Sequence, residues 1–246
     1  MKEHPILFSA PMIRALLEGR KTMTRRVIRE VPTYTHFKYL SGPKEGQPKP
    51  IMDWDLSGVW QEDDGTFWLD VQTDVDDNSH TELHCPYGQP GDRLIVREAV
   101  WLWCERQPNG KTKTGRTKWH YVWQENTPPV YVADHPEKPV DDIPVTNSRG
   151  NRLMWKYKSA RFMPKKASRI TLEITDVQVQ QVQDISEADA DAEGTGQWAM
   201  ESNAVLTCET MKDAFHALWD SINAERGLGW DANPWIWALR FKTVKP

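Results

Sequence analysis

Residues 19–26 read Gly-Arg-Lys-Thr-Met-Thr-Arg-Arg, and here residue type and spacing carry the most chemistry. Four bases stand within seven residues, with the hydroxyls of Thr22 and Thr24 between them. Close positive neighbours disfavour the ammonium form of Lys21. A lysine that is neutral part of the time acts as a base, and a nearby Thr24 hydroxyl then attacks as a nucleophile. The same turn is equally a natural phosphate site, with Arg20, Arg25 and Arg26 as its cations. A plain solvated basic turn also fits this composition.

A second group lies further along. Lys111, Lys113, Arg116, Lys118, Arg149, Arg152, Lys156, Lys158, Arg161, Lys165, Lys166 and Arg169 are interleaved with Trp119, Tyr121, Trp123, Trp155 and Tyr157. Cations track a phosphate backbone and aromatic faces stack on bases, so this is the composition of a surface for RNA or another single strand. The alternative is aromatics in a core with the bases as a solubilising shell. His80-x-x-x-His84-Cys85 has a spacing that suits two zinc ligands on a helix. The segment lacks helical periodicity and has no second Cys/His pair nearby, so no metal is expected. No cofactor-binding motif is present either: there is no phosphate-binding Gly-rich loop, no G-x-S-x-G and no H-E-x-x-H.

The elements that must position these residues read as follows. Residues 5–8 form a short strand. Ser9 caps a helix with Pro11 in its first turn, a stripe of Met12, Ile13, Leu16 and Leu17, and Gly19 as its stop. Pro90-Gly91-Asp92 is a turn, and Arg93 to Trp103 reads as one strand. Short strands are expected near Tyr121–Trp123 and Val130–Val132. Ile170, Leu172 and Ile174 alternate, and the phase then slips to Val177 and Val179, as at a bulge. Ser186 opens a short acidic helix through a capping box. Thr210 opens another, with Met211, Phe215, Leu218, Trp219 and Ile222 on one face and Gly227 as its stop. Trp235, Trp237, Leu239 and Phe241 close the chain on an alternating strand. Trp101, Trp219, Trp235 and Trp237 sit on periodic apolar faces and read as core.

Such irregular mixing of strands and helices predicts an α+β fold, a small mixed β-barrel with helices packed on it. It would be a single domain over 1–246. Two long loop insertions interrupt it, an acidic one at about 32–89 and a basic, aromatic one at 105–165. Neither insertion has the apolar periodicity for a core of its own.

Gly19-x-Lys21-x-x-Thr24-x-Arg26, after a short strand and helix, resembles the G-x-K-x-x-[E/T]-x-R signature of the ASCH domain, a PUA-like β-barrel. The threonine variant resembles the bacterial N4-acetylcytidine amidohydrolase branch. Pro90-Gly91-Asp92-Arg93-Leu94 looks like the entry to the family's second barrel strand. Residues 184–194 resemble its short acidic helix. Trp219 to Trp237 look like the C-terminal part of larger phage and prophage members. The resemblance spans roughly residues 5–31, 86–104 and 167–244. It implies Lys21 as proton acceptor, Thr24 as nucleophile and Glu193 as proton donor in hydrolysis of N4-acylated cytosine or cytidine. It equally allows a non-catalytic module for RNA or modified DNA. A third reading is a phage accessory protein that binds a host protein through the acidic insertion.

The formal net charge is −4, which on its face argues against a nucleic-acid partner. By segment the picture changes. Residues 1–50 carry net +6, 51–104 net −10, 105–169 net +8 and 170–246 net −8. The charge is segregated, and the two positive segments hold the two groups described first. Three cysteines, Cys85, Cys104 and Cys208, are too few for a disulfide framework and fit a reducing cytoplasm. No membrane association is expected, since no run approaches the roughly 18 apolar residues of a span. The apolar start is broken by Arg14, unlike a secretory signal.

Overall fold

The computed structural model describes residues 1–28, 59–61, 67–71, 79–140, 145–202 and 208–244. Eight of the ten acids in the run over 51–91 lie outside these. The fold is α+β. Its strands are β1 (Glu3–Leu7), β2 (Met23–Val27), β3 (Val59–Gln61), β4 (Phe67–Val71), β5 (Ser79–Leu83), β6 (Arg93–Arg97) and β7 (Val100–Lys111). They continue as β8 (Thr117–Trp123), β9 (Val130–Tyr131), β10 (Val145–Thr146), β11 (Arg152–Lys158), β12 (Thr171–Gln181) and β13 (Trp235–Val244). The helices are α1 (Ala10–Leu17), α2 (Glu187–Ala192), α3 (Thr195–Glu201) and α4 (Met211–Asn223).

Three sheets form. One has the order β1-β6-β12-β13-β2, the second β10-β11-β7-β8 with β9 on β7, and the third β3-β4-β5. The first order ends on β1 and β2, so among the described residues the expected closed barrel is replaced by an open sheet. The sequence reading draws one domain; its residues gather into two compact units. The first comprises Met1–His4, Thr22–Arg93 and Glu173–Lys242, and the second Pro5–Lys21, Leu94–Leu172 and Thr243–Pro246.

In the first unit β13 runs antiparallel to β2, with Leu239 opposite Thr24, Ala238 opposite Arg25 and Trp237 opposite Arg26. Its core joins Val182, Ile185, Ala190, Phe215, Trp219, Ile236 and Ala238. The alternation read along β13 is only half of its pattern. Trp237, Leu239 and Phe241 are buried, but so are Ile236 and Ala238 on the other face. The slip after Ile174 occurs inside one continuous strand, where burial passes from Ile174 to Val177. In α4 Thr210 and Asp213 form a capping box, and Ala214, Phe215, Leu218 and Trp219 are buried. Met211 and Ile222, expected on that face, are exposed, because they fall at its two ends.

In the second unit α1 buries Met12, Ile13, Ala15 and Leu16, while Leu17 faces solvent. The strand expected over Arg93–Trp103 is two strands. It breaks at Glu98, whose carboxylate turns to Arg169 and whose N–H meets Met163 Sδ at 3.2 Å. The basic insertion has a core after all. Val100, Leu102, Cys104, Met163 and Ala167 pack together, with Tyr121, Trp123 and Tyr131 against them. Apart from Met163, the non-aromatic part of this core comes from the insertion's flanks, so periodicity within the insertion does not reveal it. Trp101 is not on that face. It pairs across β11 with Tyr157, edge-on at 5.4 Å.

Among the described residues, no helix is long and apolar enough to cross a membrane. The entry to β6 in the first unit rests on Asp92. Its carboxylate accepts from Lys2 N–H at 2.6 Å and Gln89 N–H at 3.3 Å. The Lys2 bond, above all, holds this carboxyl below the usual range. A group depressed in the fold stabilises it above the unfolded pKa and loses that contribution as pH falls through the folded value. Asp92→Asn should therefore melt below wild type at neutral pH, and the gap should close as the pH is lowered through the acid range. Thermal melts from pH 7 downward (roughly to pH 3) check this, and a gap that stays constant would contradict it.

Candidate functional site

Glycine and a helix end position Lys21. Gly19 takes a left-handed conformation (φ 74°), which ends α1 without the strain a side chain would bring. The next two amides then turn back: Arg20 and Lys21 N–H both donate to Ala15 O, at 2.9 and 3.0 Å. Lys21 thus precedes the strand β2, in the turn that its proposed chemistry requires. Its side chain is buried in the second unit, with Nζ 5.4 Å from the Phe8 ring centroid.

Thr24 and Glu193 belong to the first unit, and both are buried. The amide of Thr22 donates to Ala192 O at 2.8 Å, and Thr22 O accepts from Phe241 N–H at 2.9 Å. These bonds tie the start of β2 to the end of α2 and to β13. Along β2, successive side chains alternate, so Thr24 and Arg26 share one face and Arg25 takes the other.

Arg25, one of three phosphate cations in the sequence reading, is the residue that geometry singles out. Its side chain is 0% exposed. Nη2 lies 3.1 Å from Asp189 Oδ2 and Nη1 lies 3.4 Å from Glu193 Oε1. The Gln180 amide oxygen, in the orientation that satisfies both partners, accepts from Nη2 at 2.8 Å and Nε at 3.0 Å. The Phe215 ring lies 5.8 Å from the guanidinium carbon. Asp189 also holds Arg240, at 2.8 Å. The two acids stand four residues apart on α2, on one helix face, so both reach the same cation. Ala238, opposite Arg25 on β13, leaves room for the long side chain.

The end of α2 is shaped with equal care. Ser186 Oγ accepts from Asp189 N–H at 3.1 Å, which caps the helix start. Glu193 is the C-cap, its N–H bonded to Asp189 O at 3.0 Å. Gly194 then reverses the chain (φ 76°), and α3 begins directly. Thr195, fully buried, donates Oγ1 to Ala190 O at 2.8 Å. The structure therefore brings Glu193 to Arg25. The i, i+4 acid pair at 189 and 193 was the signal for this in the sequence.

The other expected site residues separate into classes. Arg25 cannot serve as a surface phosphate contact, because its guanidinium is enclosed by carboxylates. Arg20 is exposed and bound to its neighbour Glu18. Arg26 is half-buried. Lys111, Lys113, Arg116, Lys118, Arg152 and Arg161 are exposed, and Lys156 and Lys158 half-buried. The segment His80–Cys85 begins in strand β5, not in a helix. Burial pushes the Cys85 thiol up to about 11, away from the thiolate a metal needs. Among the described residues, no group of three or more His, Cys, Asp or Glu stands ready to hold a metal ion.

Compared with known proteins, the chain matches no family model, no curated protein and no solved structure.

Removing one partner of a buried ion pair strands the other, at a cost of roughly 3–5 kcal/mol. Arg25→Met should destabilise the fold by that order in urea unfolding. The double variant Arg25→Met/Glu193→Met should recover part of the loss. A single-variant change within about 1 kcal/mol, the range of exposed pairs, would show that this network does not hold the unit.

Proposed function

We propose that this is an ASCH-type, PUA-like nucleobase-handling protein that hydrolyses N4-acylated cytosine or cytidine through Lys21, Thr24 and Glu193. One observation carries the reading. A lysine, a threonine and a glutamate chosen from the sequence motif are among the few polar side chains buried in the described structure, at 2%, 3% and 3% exposure. Buried lysine and glutamate are rare, and ionisable groups kept from water mark functional sites. The turn closed by Gly19 supports it, because it takes Lys21 out of the β2 alternation that would otherwise oppose it to Thr24.

The chemistry is as follows. Lys21 Nζ accepts the Thr24 hydroxyl proton, and Thr24 Oγ bonds to the acyl carbonyl carbon. The carbon–N4 bond breaks as protonated Glu193 delivers a proton to the leaving N4, with Asp189 balancing the Arg25 charge. Water then hydrolyses the acyl-threonine ester, which releases the carboxylic acid and restores the threonine, and the proton held by Lys21 passes to Glu193. Arg25 fixes the carboxyl of Glu193 in place from the side. The same residues without turnover would make a binding pocket for a modified base. The accessory-protein reading draws on the acidic run over 51–91, whose acids lie mostly outside the described residues.

Incubation with N4-acetylcytidine, followed by chromatographic quantification of cytidine, tests the reading. Wild type should release cytidine. Lys21→Ala and Thr24→Ala should each lower the rate by at least 100-fold, the order expected for a lost base or nucleophile. No release above the Lys21→Ala background, with the nucleoside still bound at equilibrium, would replace hydrolysis by recognition.

A further inference from the structure

The second unit carries a surface whose cations have no acidic partners. The strands β7, β8 and β11, with the β7–β8 turn, contain eight Lys or Arg and a single acid, Glu105. That acid is already engaged: Asn147 Nδ2 and Asn151 Nδ2 donate to its Oε1 at 2.8 and 2.6 Å. Elsewhere in this unit cations find carboxylates, as Arg169 does with Glu98 and Lys166 with Glu125. Among the described residues, Arg106, Lys118, Arg152, Lys156 and Lys158 make no ion pair, and neither do Lys111, Lys113 and Arg116 around the turn.

Register sorts this sheet into two faces. Arg106 stands opposite Tyr121, Pro108 opposite Trp119 and Leu102 opposite Lys156, so these side chains share a face. Glu105 alternates to the other face, as do Trp101, Trp103, Trp155 and Tyr157. On the first face the cations lie over rings. The Arg106 guanidinium is 3.9 Å from the Trp119 centroid, and Lys156 Nζ is 3.8 Å from that of Tyr121. Trp119 is 44% exposed even so. Trp119 and Tyr121 are two residues apart on β8, which spaces their Cα atoms by roughly 6.8 Å. Among the described residues, the buried Arg106 Nε has no hydrogen-bond partner. A large exposed tryptophan, braced by a cation and set among uncompensated charge, is costly to leave in water unless something polyanionic and flat covers it.

We propose that this face binds single-stranded nucleic acid without sequence preference. A base stacks on Trp119, Tyr121 continues the platform, and Arg106, Lys156 and the cations of the β7–β8 turn hold phosphates. Arg106, Trp119 and Tyr121 join the binding residues, and Arg25 leaves them. The surface is independent of the Lys21, Thr24 and Glu193 chemistry.

The test is fluorescence anisotropy of labelled oligo(U) and oligo(dT), roughly twelve nucleotides long, with the full chain in about 50 mM salt. The expected result is binding to at least one strand that falls steeply with added salt. Trp119→Ala should weaken it by roughly 5- to 150-fold, the loss of one stacked base, while Trp119→Phe retains most of it. Lys113→Glu/Arg116→Glu should reduce both affinity and salt slope. The readout is oligonucleotide affinity and not cytidine release, so failure here is distinguishable from failure of the hydrolytic reading. No binding at low salt overturns the proposal. So does binding that Trp119→Ala leaves intact in a variant with the wild-type melt. Equal, Trp119-independent binding of polyglutamate overturns it too, in favour of an acidic protein partner.

Discussion

The burial of the Arg25 guanidinium is the constraint on which the first unit depends. A guanidinium at 0% exposure is tolerable only with its charge matched and its donors engaged. Arginine does not escape by losing its proton, so the fold must supply partners. It draws Asp189 and Glu193 from α2, Gln180 from β12 and the Phe215 ring from α4. Arg240 of β13 is recruited in turn by Asp189. One side chain thus fixes the relation between its own strand and four other elements. The local devices around it serve the same end. Ser186 starts α2 in the right place, Gly194 ends it where Glu193 still reaches the guanidinium, and Ala238 keeps the opposite position small.

The second unit builds a comparable network around a half-buried arginine. Arg169 holds Glu98 in a two-point contact at 2.9 and 3.0 Å and Asp134 at 2.5 and 3.0 Å, with the Tyr131 ring 3.9 Å away. Burial pushes the Glu98 carboxyl up, with Arg169 opposing it; for the more exposed Asp134 the bond to Arg169 wins and holds the carboxyl down. The arginine therefore favours the charged form of both acids, and depth decides how much remains of that preference. Basic residues here play two roles that composition cannot separate. Arg25 and Arg169 are fasteners, held by carboxylates. Among the described residues, the bases of β7, β8 and β11 make no ion pair. A net charge of −4 adds both kinds together.

What was legible in the sequence was what depends on short spacing. The Ser186 cap, the Thr210 box, the Gly19 stop, the Pro90–Asp92 turn and the slip after Ile174 all follow from neighbours within a few residues and are present, although at Ser186 the reciprocal bond of the expected box is missing because the Asp189 carboxylate turns to Arg25 and Arg240. What depends on distant partners was not legible. The break at Glu98 requires Arg169, which lies 71 residues on. The core of the basic insertion needs Val100, Leu102 and Cys104 from its near flank and Ala167 from its far one. Trp101 alternates correctly, but a period of two cannot say which face is buried. Arg25 looked like its neighbours Arg20 and Arg26, since nothing local distinguishes a sealed arginine from a solvated one. The α2 acid pair gave the one clue, and it became meaningful only with β2 beside it.

Arg25 and Glu193 also constrain the chemistry that can be assigned to them. A glutamate held by an arginine at 3.4 Å, on a helix end bounded by a left-handed glycine, has little freedom to swing. Any reaction that uses it must come to its carboxyl rather than recruit it from a distance. Preorganisation of this kind lowers the reorganisation needed when charge moves, but it also makes the network a structural element in its own right. Loss of activity on changing Arg25 would therefore not by itself identify a role in the reaction. Thr24 is the cleaner witness. It shares β2 and its burial with Arg25 but takes the opposite face of the strand. A defect in turnover without a defect in stability at Thr24 would speak for chemistry, because no described ion pair depends on its hydroxyl.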